Sequence, residues 1–326
     1  MVKERIVWLD WAKVLGIMIV VFCHTPQSPS LVLRFFETMQ MPLFFMLSGY
    51  LHKCQPTMRE SVVKYVRTLF VPYLLFQVIH YPYYAVKAVV EGGGWNVVDN
   101  LLMPFLGTFA STAIDGPTWF LYALFLLKIV SDVAIRLGER VFLPLLVLAT
   151  AAASYVIWND EVVNISFCID SLMRFAPYFV LGYWLKRGGR RIVTLTDGHK
   201  SWSVLALLVL LAVNLSLRTV EASSYNAQFA LLFVFALTGS FALIEFSKLL
   251  PKRELITELS TGTIIILGFH WMFIGVTNFV LERAMGIRDI LYSLPVAFLI
   301  VALITAANYF IIRFCKKHFR ILLGGR

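Results

Sequence analysis

Three ionisable residues interrupt the first apolar run of the chain, IVWLDWAKVLGIMIVVFCHT: Asp10, Lys13 and His24. Each such group costs on the order of 2.5–3.5 kcal/mol at the centre of a membrane helix on insertion scales, so each is a candidate for function or for ion pairing. A carboxylate, an ammonium and an imidazole together can move a proton near neutral pH and hold negative charge. At about 100° per residue, the eleven steps from Lys13 to His24 return to within roughly 20° of one helical face. At 1.5 Å per residue the two lie about 16 Å apart, so one stripe of the helix is polar over half the depth of a bilayer. The structural alternative is that Lys13 pairs with Asp10 at i, i+3 or reaches toward the cytoplasm, while His24 sits at the outer interface. The shared face favours a joint role, because independent interfacial residues have no reason to align.

Further along, MPLFFMLSGYLHK places Ser48 and Gly49 in a bulky apolar run, where small residues let a second backbone or a ligand come close. Lys64 and Arg67 precede VPYLLF, and Pro72 permits a local opening of the helix there. The two cations serve either as topology anchors or as ligands for a phosphorylated cofactor arriving from the cytoplasm.

The elements that must position these residues are membrane helices. Hydrophobic residues make up 59% of the 326 positions and charged residues only 15%, a composition that excludes an ordinary soluble domain. Apolar runs of spanning length fall near 6–24, 33–51, 67–90, 118–137, 141–158, 168–186, 202–218, 226–248, 262–281 and 291–314. The expectation is an all-α integral membrane protein of about ten transmembrane helices, with 101–114 as a short re-entrant or interfacial helix. No cleavage pattern precedes the first run, so that run is expected to stay in the mature protein. With the N-terminus inside, 21 of the 29 basic residues fall in inside segments and only Arg34, Lys87, Arg218, Arg283 and Arg288 in outside ones. The outside segments also carry Glu91, Asp99, Asp115, Asp160 and Glu161. Both termini are therefore expected in the cytoplasm and the chain in the plasma (inner) membrane. This bias accounts for the net charge of +10, so nucleic acid is excluded as a partner. Cys23, Cys54, Cys168 and Cys315 are scattered without metal-ligand spacing, so neither a metal nor a disulfide is expected. No linker, repeat or soluble segment divides residues 1–326, which read as a single transmembrane domain.

The ordered set of motifs resembles the membrane-bound acyltransferase family 3, most closely its fucose 4-O-acetylase-like branch, over essentially the whole chain. Lys13, ten intervening residues and His24 look like the family's Arg/Lys-x10-His signature. MPLFFMLSGY, KYVRTLFVPY, TWFLYALF around Trp119, PYFVLGY around Gly182 and ILGFHW with His270 follow in order. Many members carry Arg-x-x-Arg before the third span. Lys64-x-x-Arg67 keeps both charges here but loses the two-pronged contact a first arginine would make. The resemblance implies transfer of an acyl group, usually acetyl from acetyl-CoA, to a hydroxyl of a carbohydrate or lipid-linked glycan at the cell envelope. Acetyl-CoA is then a substrate, and no cofactor is bound permanently. His24 is the candidate base, Lys13 stabilises negative charge on the donor or the transition state, and Asp10 orients or neutralises Lys13. Lys64, Arg67 and Ser48 are candidates for the donor site. Trp119, Arg174 and His270 are candidates for acceptor binding. Each of those three also has a structural reading: an aromatic belt, an ion pair with Asp170 and a satisfied interhelical histidine.

The rival class is a transporter or flippase, in which Asp10, Lys13, His24 and Arg174 line a translocation path. No inverted repeat and no matched pair of interrupted spans supports it. A purely structural scaffold fits intramembrane charge least well. The charge bias predicts that a reporter fused after Arg326 behaves as cytoplasmic and one inserted near Asp160 as external; a periplasmic C-terminus overturns the ten-span arrangement.

Overall fold

A computed structural model describes residues 5–90, 92, 116–159, 166–187, 196–220, 224–286 and 290–325. The helices are α1 (Val7–His24), α2 (Leu31–Tyr50), α3 (Met58–Tyr65), α4 (Val71–Val90), α5 (Trp119–Asn159) and α6 (Ile169–Arg187). They continue with α7 (Lys200–Leu217), α8 (Tyr225–Leu249), α9 (Glu254–Thr261), α10 (Thr263–Met285) and α11 (Leu294–His318). A π turn, Val66–Phe70, joins α3 to α4, and short 3-10 turns precede α5 and α6 and follow α11. The described residues contain no strand beyond one isolated bridge between Gln27 and Tyr292.

Every expected apolar run lies largely in a helix, and among the described residues seven helical segments are long and apolar enough, by length and composition, to cross a membrane. The expected break between 118–137 and 141–158 falls at Gly138, whose φ of 148° and ψ of 93° interrupt α5 where other residues are strained. Two expectations need correction. The run expected to begin at 67 starts at Met58, because Thr57 caps it by accepting a bond from the Glu60 N–H; its first turns are polar and carry no hydropathy signal. The two-turn helix α9 was not foreseen, being too short to show a period. The segment 101–114 lies outside the described residues, as do Glu91, Asp99, Asp115, Asp160 and Glu161.

The chain forms two compact units, neither a continuous stretch. The first takes Met1–Leu51, Tyr178–Ile266 and Val276–Tyr309. Its core joins Leu9 and Ala12 of α1 with Leu43, Met46, Leu47 and Tyr50 of α2, Leu185 of α6 and Ile244 of α8. The second takes His52–Pro177, Leu267–Gly275 and Phe310–Arg326. Aromatic contacts dominate it: Tyr73 stacks on Tyr122, Phe70 on Phe125 and Trp119 on Phe175. Large apolar side chains such as Leu208 of α7 and Phe310 of α11 are 58% and 70% exposed, as lipid-facing surface requires.

The Gly49 signal of the sequence is a helix contact. A Cβ on Gly49 would sit 1.9 Å from the Phe179 carbonyl oxygen, and one on Gly182 would sit 1.9 Å from that of Met46. The two glycines let α2 and α6 touch backbone to backbone, the close approach that replaces a hydrophobic driving force inside lipid. Neither carbonyl can move without breaking its own helix. Gly49→Ala and Gly182→Ala should each destabilise the fold by at least about 1–3 kcal/mol, the range for overpacking, read as a lowered melting temperature in detergent. Unchanged melting of either variant contradicts the contact.

Candidate active site

Residues of the first unit come from the two ends of α1. Asp10, buried near its start, accepts from Arg5 Nε at 2.6 Å and from Ser260 Oγ at 2.5 Å. Arg5 also donates to the Thr257 carbonyl at 2.8 Å. Asp10 thereby fastens the start of α1 to α9, a use that its sequence neighbours do not reveal. Lys13 is half-buried, and α1 continues without a break to His24, which preserves the common face of the two residues. His24 is half-buried, and its Nδ1 lies 2.8 Å from the Val20 carbonyl. A carbonyl only accepts, so Nδ1 carries the hydrogen in the neutral ring and Nε2 holds the lone pair. Thr25 and Gln27 donate back to the Val21 and Phe22 carbonyls, and the Tyr292 N–H donates to the Pro26 carbonyl, so the turn after His24 is fixed. Ser48 is half-buried beside the Gly49 contact.

In the second unit, Lys64 is in the last turn of α3 and Arg67 lies in the π turn, and both are exposed. The turn is closed by the Val71 N–H on the Val66 carbonyl, and the Thr68 hydroxyl donates to the Lys64 carbonyl at 2.8 Å. The C-terminal turn packs on it: a Cβ on Gly324, at φ 69°, would fall 2.7 Å from the Thr68 carbonyl oxygen. Trp119 is 7% exposed with its ring stacked on Phe175 at 5.8 Å, so it is an internal packing residue rather than part of an interfacial belt. Arg174 is half-buried, and neither carboxylate oxygen of Asp170 has a hydrogen-bond partner among the described residues, so the expected ion pair is not a hydrogen-bonded one. His270 is fully buried with Nδ1 2.8 Å from the Leu267 carbonyl of its own helix, a bond within the helix and not the interhelical one of the structural reading.

Sequence reasoning passed over one polar centre. His52, Cys54 and Asp132 bring potential metal-ligand atoms within 4.8 Å of one another. His52 Nε2 is 2.7 Å from Asp132 Oδ1, Cys54 Sγ is 3.2 Å from the same oxygen, and the Tyr65 hydroxyl is 3.1 Å and 3.2 Å from the two oxygens. Lys128 Nζ lies 3.5 Å from His52 Nδ1. An ammonium only donates, so Nδ1 accepts and Nε2 carries the proton it gives to Asp132. The nitrogen that would face an ion is thus occupied, and a cation stands behind the ring. Burial holds His52 below its ordinary value against the pull of Asp132, and burial with Asp132 pushes the Cys54 thiol up to about 11. The group is a set of proton donors around a buried carboxylate. The missed signal was Lys128 and Asp132, an i, i+4 charge pair inside the apolar run 118–137.

A family model described as an acyltransferase domain matches residues 6–313, nearly the whole chain. The chain belongs to acyltransferase family 3. No curated protein and no solved structure matches it. This acyltransferase 3 protein is therefore a membrane-embedded enzyme that transfers an acyl group, and the transporter reading of its intramembrane charges gives way.

The His52 geometry has a consequence for stability. In the unfolded chain His52 returns to its ordinary value near 6.5. Below that pH the unfolded state takes up a proton that the folded state refuses, so stability is lost as the pH drops there and is unaffected above it. The difference in melting temperature between wild type and His52→Gln should be constant from about pH 7 to 8 and shrink between about pH 6.5 and 5.5. A difference that stays constant to the lower limit contradicts a neutral buried His52.

Proposed function

We propose that this enzyme is an O-acetyltransferase of the fucose 4-O-acetylase-like kind, moving acetyl from cytoplasmic acetyl-CoA to a hydroxyl of a cell-envelope or exported glycan. It works in the plasma membrane with both termini in the cytoplasm. The observation that carries the reading is the Val20 bond to His24 Nδ1, which presets the neutral tautomer whose Nε2 can accept a proton. A sugar hydroxyl is a poor nucleophile at neutral pH. His24 Nε2 takes its proton as the oxygen attacks the thioester carbonyl carbon; the tetrahedral intermediate then collapses, the C–S bond breaks and CoA leaves as the thiolate.

The separation along α1 divides the labour. Lys13 lies about 16 Å below His24 on a continuous helix, farther than a lysine side chain reaches, so its charge serves the donor rather than the tetrahedral oxyanion. Asp10, already engaged by Arg5 and Ser260, holds the helix start that carries Lys13. Lys64 and Arg67 are both exposed one turn apart, as ligands for the CoA phosphates must be. Ser48 lines the donor path, and Arg174 contacts the acceptor. Trp119 and His270 are too deeply buried to touch it, and they support the acceptor side as packing residues.

Acetyl transfer and acetyl-CoA hydrolysis by detergent-purified protein test this reading. His24→Ala and His24→Gln should both lose about 10²–10⁴-fold in rate with normal insertion, since glutamine keeps a hydrogen bond but cannot titrate. Lys13→Arg should keep part of the activity and Lys13→Met should not. Replacing Lys64 and Arg67 together with Gln should weaken acetyl-CoA binding, and added salt should mimic the loss. Near-normal turnover of His24→Gln at matched expression removes His24 from the mechanism.

A further inference from the structure

Asp132 is fully buried and takes no part in the reaction described above. A carboxylate at such a depth persists only when donors surround it, and His52, Cys54 and Tyr65 supply them. Tyr65 is the donor with a consequence beyond this centre. It is the last residue of α3 and stands immediately before the π turn Val66–Phe70 that carries Arg67. The Tyr65 ring is 2% exposed and its hydroxyl is bound to Asp132, whereas Lys64 and Arg67 on either side are exposed.

An isolated π turn is a rare insertion in a helix and recurs at functional sites. One residue added to a turn rotates every later side chain by roughly 100° about the helix axis, so the register of this turn decides where Arg67 points. Beside the stacking of Phe70 on Phe125, three further contacts brace it. Tyr65 is fixed on Asp132, the Thr68 hydroxyl caps the Lys64 carbonyl, and Gly324 leaves no space beside the Thr68 carbonyl. Only the first is anchored in a different helix through a charged group, since Asp132 belongs to α5 and is itself held by His52 with Lys128 behind the imidazole.

We propose that Asp132, acting through Tyr65, is a positioning residue for the donor site: it holds the π turn in the register that aims Arg67 at the phosphates of the acyl donor. This rests on the reading of Arg67 as a ligand of CoA phosphates. The test is a cycle of acetyl-CoA binding constants on the full-length protein in detergent, for wild type, Tyr65→Phe, Arg67→Gln and the double variant, with thermal melting alongside. Asp132→Asn is added as a second route to the same contact. Tyr65→Phe removes one bond to a charged acceptor and keeps the ring, so it should fold and weaken acetyl-CoA binding about fivefold or more. Asp132→Asn should follow it in direction. In the Arg67→Gln background the same Tyr65 change should alter affinity by less than about twofold, because the residue it positions is gone. A contact that only stabilises the fold lowers the melting temperature in both backgrounds and leaves the binding constant alone. If Arg67→Gln weakens binding while Tyr65→Phe does not, or if the two losses simply add, the positioning role is overturned. If Arg67→Gln itself leaves affinity unchanged, the donor reading fails and this inference fails with it.

Discussion

Inside a bilayer no water is available to take up a stray N–H or C=O, and each unsatisfied group there costs several kcal/mol. That constraint explains why the described main chain is helical almost throughout. It also explains the exceptions. The α5 helix is interrupted only at a glycine, and the π turn before α4 bonds its Val66 carbonyl to the Val71 N–H, while its Thr68 hydroxyl takes the Lys64 carbonyl of α3. Lipid offers no hydrophobic force to press helices together, so α2 and α6 meet where Gly49 and Gly182 remove the Cβ atoms between their backbones.

The same constraint sorts the polar side chains. Asp10 and Asp132 are both buried carboxylates, but they are satisfied differently: Asp10 by a guanidinium and a hydroxyl, Asp132 by an imidazole, a phenol and a thiol. Asp10 therefore sits in a charge-balanced pair. Asp132 keeps its negative charge among neutral donors, with Lys128 one ring away. His24 and His270 satisfy Nδ1 in one way, on a carbonyl of their own helix, which leaves Nε2 the basic nitrogen in each. Burial distinguishes them: His270 is fully enclosed and His24 is half-buried.

Enough was legible in the sequence to set the class and the first candidates. Hydropathy marked the long apolar helices, because a helix bonds to itself four residues away and needs only a local run of suitable residues. The alignment of Lys13 with His24 was legible for the same reason: α1 is one unbroken helix, and helical phase follows from counting. Lys64 and Arg67 stood out as cations just before an apolar run, but the Thr57 cap that starts their helix did not.

What the chain alone left open was the partner of every buried polar group. Ser260 stands 250 residues from Asp10, and Asp132 stands 80 from His52. No period or spacing announces such pairs, so a burial that looks costly in the sequence cannot be told from one that is satisfied. The π turn was hidden as well, since the partners of Tyr65 and of Gly324 beside it lie far away in the sequence. Local hydrogen bonding and hydropathy determined the helices and the shared face of Lys13 and His24. Tertiary structure decided which charges are spent on holding the fold and which remain for chemistry, because desolvation is paid or relieved only by groups that the folded chain brings together.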